Sequence, residues 1–394
     1  MSAPPEASEP PGNAKGTVSS AVRKDTKGPE GQVMPECTQL DGVQALPPGQ
    51  TLPESTVLQA VDVRSAGDDV LRSMFAVATQ IEREDVPEPP WVPELEWVAE
   101  LRADAGIQDR ADWLVRDGAG APVAVGHFYA SRSGENSHRA KLVVQVAPAA
   151  RRRGTGTLLL RLVTGAAHDA GRTVVQTWTT AAGPGAAFAT RWGITAEDEL
   201  ELNRLRVARL DRTLIDRWLE RAKERAEQYE LVWWDGRCPD ALRSTYAEVR
   251  QVMNTAPQVS DHVDEVFTVD KLDELEASWA EAGLPWWTVC ARQRQSGRLV
   301  GYTELAFSDE EPALAYQGDT AVDPLHRGQG IGRWVKAAML ERMLRERRAV
   351  EVVDTDNAGS GDAMIAINRH LDFRVILRTE RRRADLADLA TRLG

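Results

Sequence analysis

Two copies of one short pattern, 176 residues apart, stand out in this chain as residues that could do chemistry. The first is Val146-Ala-Pro148-Ala-Ala-Arg151-Arg152-Arg-Gly154-Thr155-Gly156, and the second is Val322-Asp-Pro324-Leu-His-Arg327-Gly328-Gln329-Gly330-Ile331-Gly332-Arg333. Each follows an apolar run and precedes a segment with helical spacing. The order is strand, Pro turn, Arg/Gly loop, helix. Such a loop can hold a diphosphate: glycines let the backbone approach, N–H groups converge, and the helix N-terminus adds partial positive charge. A tight strand-to-helix turn that merely uses glycine would look the same in one copy. Two copies with matching flanks imply an internal duplication.

The elements that must position these loops can be read on both sides. Asp68–Glu84 has helical spacing, Trp113–Val115, Val123–Tyr129 and Leu142–Val146 read as strands, and a helix is predicted over 155–170 before a strand at 173–180. A short helix near Ala186 and a strand over 200–207 close the first unit. The charged segment Leu210–Gln228 is either a connector or the last packed helix of the first half. The second unit repeats the order: helices at 239–253 and 270–282, strands at 286–292, 299–307 and 313–322, a helix over 331–346, a strand at 350–354, a short helix at 363–369 and a strand at 373–378. Aligning the loops without a gap pairs Val174 with Val350 and Ala181 with Asn357.

The chain has 394 residues, enough for two cores, with 42% hydrophobic and 27% charged residues. Its net charge of −12 argues against nucleic acid as a partner. The arginine clusters at 151–153 and 381–383 remain available for phosphates. No apolar run is long enough to span a bilayer, so no membrane is expected. The first 54 residues hold nine of the 21 prolines, lack a signal-peptide pattern and read as a disordered tail. Cys37, Cys238 and Cys290 form no metal pattern; no metal site and a reducing, cytoplasmic setting are expected. The domains expected are a tail (1–54), a first unit (55–210), a connecting helix (211–228) and a second unit (229–394).

The second loop, with Arg327, Gly330 and Gly332 after Val322-Asp-Pro324, resembles motif A of the GNAT (Gcn5-related N-acetyltransferase) superfamily. Arg151, Gly154 and Gly156 resemble it in the first unit. Asn357, Met364, Asn368 and Leu371-Asp372-Phe373 are similar to the run that closes many GNAT domains. Gln317–Val322 and Thr303–Leu305 resemble strands of tandem GNAT proteins of the mycothiol synthase-like group. Asp372 and Gly361 depart from the pattern, as does Trp192-Gly193-Ile194 in the first unit.

The resemblance implies an α/β (α+β) fold of two tandem domains, each a mixed, mostly antiparallel sheet splayed between its fourth and fifth strands and flanked by helices. The cosubstrate it implies is acetyl-CoA or another acyl-CoA, its pantetheine in the splay and its diphosphate on Arg327–Gly332, with Val322, Gly328, Gln329, Ile331, Arg333, Asn357 and Asn368 around it. Val146, Arg151, Arg152, Gly154, Thr155 and Gly156 would form a second cofactor site, though the first unit shows no base and is expected to be structural. Amine acylation needs a proton acceptor. Asp319 and Glu304, on strands bordering the splay, are the candidates, with Asn357 a pantetheine or water ligand; strand alternation puts Gln317, Asp319 and Ala321 on one face. No tyrosine lies beyond Tyr316 to serve as general acid, and His326 sits beside the loop. The neighbouring pairs Trp233-Trp234 and Trp286-Trp287 point to opposite faces of their strands, as core or as an acceptor wall.

The expected function is N-acylation of a small-molecule primary amine by the second unit. The alternatives are acylation of a peptide or protein amine, including from a long or carrier-bound acyl donor, and a non-catalytic module that senses acyl-CoA. The chain is expected to be a monomer or homodimer.

Overall fold

The computed structural model describes residues 56–132, 134–255, 263–358 and 362–394. The expected tail, Cys37 and Gly361 lie outside the described residues. The first repeat runs β1 (Val57–Val61), α1 (Asp68–Asp85), α2 (Glu94–Ile107), β2 (Gln108–Arg116), β3 (Pro122–Ser131), β4 (Arg139–Val146), α3 (Thr155–Asp169), β5 (Val174–Thr180), α4 (Pro184–Arg191) and β6 (Thr195–Arg206). Helix α5 (Arg212–Ala222) follows. The second repeat runs β7 (Tyr229–Asp235), α6 (Arg243–Arg250), α7 (Val269–Glu281), β8 (Trp286–Gln293), β9 (Leu299–Phe307), β10 (Leu314–Val322), α8 (Ile331–Glu346), β11 (Val352–Ala358), α9 (Asp362–His370), β12 (Arg374–Asp385) and α10 (Leu386–Leu393).

The twelve strands of the described residues form one sheet in the order β1-β2-β3-β4-β5-β12-β6-β11-β10-β9-β8-β7. The last strand of each repeat is exchanged. β12 pairs with β5 of the first half, and β6 pairs with β11 of the second. The two exchanged strands pair antiparallel at the centre. Each following helix goes with its strand: Ile215 and Trp218 of α5 join the second half's core, and Leu386, Leu389 and Leu393 of α10 join the first half's core. Residue 210 therefore marks the end of the sequence repeat but not a break in the sheet. α5, which the sequence left as connector or packed helix, is a packed helix of the second half.

The sheet is antiparallel except at β4–β5 and β10–β11. Those two parallel pairings are short. β10 and β11 pair only from Leu314↔Val352 to Tyr316↔Asp354, then separate, so Gln317–Val322 and Thr355–Ala358 line an opening split. β4 and β5 do the same after Lys141↔Gln176. These rungs correct the gapless alignment. Val174 corresponds to Val352, so Asn357 matches Thr179 rather than Ala181, because two more residues separate helix start and strand in the second half.

One face of the second half is covered by α8, with Ile331, Val335, Met339 and Leu340 packed on Val289, Leu305 and Ala315. The other is covered by α6 and α7, over Cys290, Tyr302 and Ala321. Val335, Ala338 and Met339 are inward as their spacing requires. Trp233 packs on the α8 side and Trp234 on the α6 side. Trp286 and Trp287 are buried against Trp279 and Phe307 respectively, as core side chains. Among the described residues no helix is long and apolar enough to cross a membrane.

The arginines at 381–383 are used inside the sheet rather than held free for phosphate. Arg381 pairs with Asp198 at 2.7 Å, and buried Arg382 reaches Glu380, Thr179, Thr190 and the Ile194 carbonyl.

Candidate functional site

The second Arg/Gly loop begins where β10 ends. Gly328 (φ +76°) and Gly330 (φ +78°) both take the left-handed conformation, and Gly330 is the N-cap of α8. That geometry turns successive N–H groups inward above a sixteen-residue helix. A Cβ on Gly328 would meet nothing within 4 Å among the described residues, whereas Gly332 packs on Ile367, Val322 and Met364. Ile331 is buried beneath.

Around this loop, Arg225 donates from Nε to the Gln329 carbonyl, and its Nη2 lies 3.0 Å from a Cβ built on Gly330. Tyr229 donates to Gln329 Oε1 at 3.1 Å and shares a 2.8 Å hydrogen bond with His326 Nδ1. His326 is thus occupied in loop packing. Arg327 turns away from the loop: its Nε donates to Val322 O at 2.9 Å and its Nη2 to Thr255 Oγ1 at 2.6 Å. Arg333 is exposed, its guanidinium 5.8 Å from the Trp218 ring centroid. Arg225, which sequence reasoning missed, brings a guanidinium against Gly330. It lies far back in the chain, and no local signal marks it.

The first loop repeats this geometry with different chemistry. Arg152 (φ +64°) stands where Gly328 does, and Gly154 (φ +88°) caps α3 as Gly330 caps α8. Arg151 Nε donates to Val146 O at 3.1 Å, the counterpart of Arg327 on Val322, and its two Nη atoms clamp Glu84 at 2.9 and 2.5 Å. Thr155 is buried, and Gly156 packs near Phe188.

Between β10 and β9 the register slips between Gln317 and Thr320: Gln317 pairs with Leu305 and Thr320 with Thr303. Three steps on β10 match two on β9, which is a β-bulge at Gly318-Asp319. This corrects the alternation expected for the strand. Gln317 shares a face with Thr320, donating to Thr303 Oγ1 at 2.9 Å, while Asp319 and Ala321 face α6. An isolated glycine inside a strand was the available signal.

On the α6 face a charged cluster is assembled from distant segments. Glu304 is 4% exposed and accepts from Tyr246 Oη at 2.5 Å and from Arg250 Nη1. Arg250 Nη2 donates to Asp319 Oδ2 at 3.2 Å, and Tyr302 Oη reaches the same oxygen at 3.5 Å. Burial pushes the Glu304 carboxyl up and Arg250 pulls it back. Asp319 is the more open of the two acids, its side chain 38% exposed against 6% for Glu304. The structure therefore joins Asp319 and Glu304 through Arg250. Neither Arg250 nor Tyr246 was found from sequence, because their partners lie more than fifty residues away.

Asn357 lies across the split, on the α8 face. Lys336 Nζ donates to Asn368 Oδ1 at 2.6 Å, and Asn368 Nδ2 donates to Asn357 Oδ1 at 3.0 Å. Asn357 keeps its Nδ2 as a donor. Lys336 is 1% exposed, and burial pulls its amine down to about 7. The Asn357–Asn368 pair lies on the face opposite Asp319. Cys238 and Cys290 are buried thiols pushed up by burial, Cys238 to about 12, and neither is poised as a nucleophile.

Residues 249–363 match the acetyltransferase (GNAT) family. Among solved structures, a tandem GNAT protein from the clavulanic acid biosynthesis pathway superposes with a TM-score of 0.67 at 24% identity, covering 84% of this chain and 98% of its own. This is a tandem GNAT-fold protein. A GCN5-related N-acetyltransferase from Sphaerobacter thermophilus gives a TM-score of 0.61 at 18% identity, over 85% of this chain and 97% of that one. N-myristoyltransferase from Saccharomyces cerevisiae with bound myristoyl-CoA gives 0.51 at 9% identity, over 87% and 80%. No curated protein matches this chain in sequence.

The second loop has the chemistry of an anion cradle. The open space at Gly328, the inward N–H groups and the nearby guanidinium of Arg225 suit a diphosphate. The split between β10 and β11 offers unpaired strand edges to a chain of amides. In the first half Arg152 brings a side chain where the second has none.

Proposed function

We propose that the second half is an acyl-CoA-dependent N-acyltransferase acting on a primary amine of a small molecule, and that the first half is chiefly structural. One observation carries this reading: the β10–β11 split runs from Tyr316 to the Gly328–Gly330 loop, with an open carboxylate, Asp319, on one face and an amide donor, Asn357, on the other.

The thioester, when bound, supplies an acyl carbon open to attack. The backbone N–H groups from Gly328 to Gly332, with Arg225, hold the diphosphate. Asn357 Nδ2, steadied through Asn368 by Lys336, donates into the split. The bulge takes Gly318 and Asp319 out of the regular ladder, where a backbone N–H can serve to polarise a carbonyl. Asp319 accepts the proton that the amine gives up, directly or through one water. Arg250 and Tyr302 hold the Asp319 carboxylate in place. Glu304, held by Arg250 and Tyr246, is a positioning residue in this scheme. The C–N bond forms as the C–S bond breaks, and the thiolate leaves without a tyrosine donor.

Acetyl-CoA turnover over a panel of amines tests the reading. Asp319→Asn should lower kcat by about a hundredfold or more while acetyl-CoA binding by calorimetry is kept. Binding without turnover of any amine would instead make the chain a sensor, and turnover confined to peptides would move the acceptor class.

A further inference from the structure

Helix α2 carries Glu96, Glu100 and Asp104 at intervals of four, so the three acids form one stripe. Trp97, Val98, Leu101 and Ala105, on the other side, pack into the first half's apolar cluster under α1. The acidic stripe therefore faces the second half, where α2 packs on α7 and on Tyr316. Tyr316 is the last β10 residue paired to β11, and its hydroxyl donates to Glu96 Oε1 at 2.9 Å. Glu96 thus stands at the vertex of the split, on the same face as Asp319.

Two observations there call for a cation. Glu96 is 5% exposed, and its buried Oε2 has no hydrogen-bond partner among the described residues. A buried carboxylate oxygen without a donor is costly. One turn along, burial and the neighbouring Glu96 and Asp104 push the Glu100 carboxyl up to about 7, with no cation among the described residues acting on it. The neighbouring charges do not fill this gap. Asp104 has Arg110 and Lys141 near it, and Asp354 is clamped by Arg204. Tyr316 is a neutral donor whose hydroxyl burial pushes far up.

We propose that the acceptor is a diamine or polyamine, with one ammonium group held by Glu96 and Glu100 while the other amine faces Asp319 and the thioester. This rests on the acyltransferase reading above and names its substrate class. The reacting nitrogen forms its bond to the acyl carbon as the C–S bond breaks, and its proton passes to Asp319. The distal ammonium keeps its charge throughout. It supplies the missing donors to Glu96 Oε2 and the missing counter-charge to Glu100. The first half thereby contributes the acceptor specificity of the second.

Calorimetric titration of the full chain with cadaverine and with pentylamine, no acyl donor present, tests this directly. The wild type should bind cadaverine about ten- to a hundredfold more tightly than pentylamine. Glu100→Gln and Glu96→Gln should each bring cadaverine down toward pentylamine, with circular dichroism and the melting midpoint confirming the fold. Equal affinities in the wild type, no cadaverine binding, or a preference that survives both substitutions would overturn the proposal. Acetyl-CoA binding, titrated separately on the same preparation, reports on the acyltransferase reading alone, so the two can fail independently.

Discussion

Lys336 offers the sharpest physical test of the cofactor side of the split. Its amine is 1% exposed, has Asn368 Oδ1 as its hydrogen-bond partner and lies 5.4 Å from the Phe373 ring centroid. Burial holds it near 7 against the usual 10.5. A lowered lysine value means that the folded state releases its proton first. Between about pH 7 and the unfolded value the unfolded chain binds more protons, so this group makes stability rise with pH. The full gap corresponds to about 5 kcal/mol, and the portion between pH 7 and pH 9 to about 2 kcal/mol. Lys336→Met keeps the chain length and removes the charge, at the cost of leaving Asn368 Oδ1 without its donor, about 1–3 kcal/mol. Urea unfolding of both proteins at pH 7, 8 and 9 isolates the effect, since every other titrating group cancels in the difference. Relative to the variant, the wild type should gain about 2 kcal/mol across that range. A difference that stays constant with pH would refute the buried-amine reasoning. The acetyl-CoA KM of the variant should rise as Asn357 loses its support, with kcat for saturating cosubstrate less affected.

Other outcomes follow from the same geometry. Gly330→Trp puts an indole where a Cβ already meets Arg225 at 3.0 Å and forces a residue with a side chain to φ +78°, so calorimetric uptake of acetyl-CoA should be lost. Arg204→Leu removes a buried guanidinium that holds both Asp354 oxygens at 2.8 Å and the carbonyls of Glu88, Pro89 and Pro90. It leaves Asp354 uncompensated and should cost about 3–5 kcal/mol in denaturant titration, with Asp354→Leu on the same background recovering part of it. An unchanged unfolding midpoint would deny that pair its role in fastening the 88–90 segment to β6.

The two loops, their helices and most strands were readable because glycine, proline and apolar spacing are local signals. The exchange of β6 and β12 was not. A central strand shows the same alternation whichever strands lie beside it, so sequence fixes the faces and leaves the neighbours open. Helix α2 escaped notice for a related reason. One of its sides packs under α1 and the other against the second half, so no single apolar stripe at 3.6 spacing remains. Asp319 and Glu304 were identifiable as acids inside strands. Their link through Arg250 depends on α6, brought in from outside the motif. Lys336 left a trace in the sequence, as a lysine on the inward side of α8 between Val335 and Ala337, but the pattern alone does not say that Asn368 receives it.

In the first half Arg152 occupies the position of Gly328, and Arg151 is locked to Glu84, so that loop has moved away from a bare anion cradle. Yet the split in the second half is bounded by pieces from before residue 229. β6 pairs along β11 through Asn357, α2 stands over the vertex with Glu96 bonded to Tyr316, and Arg225 holds the carbonyl of Gln329. Because β6 leaves the first half, β11 is not an exposed edge, and the two strands of the split can diverge without leaving unpaired backbone on their outer sides. The first half thus stays structurally tied to the second repeat's split: it supplies β6 as one wall and α2 over the vertex, while the segment after α5 supplies Arg225 beside the glycines.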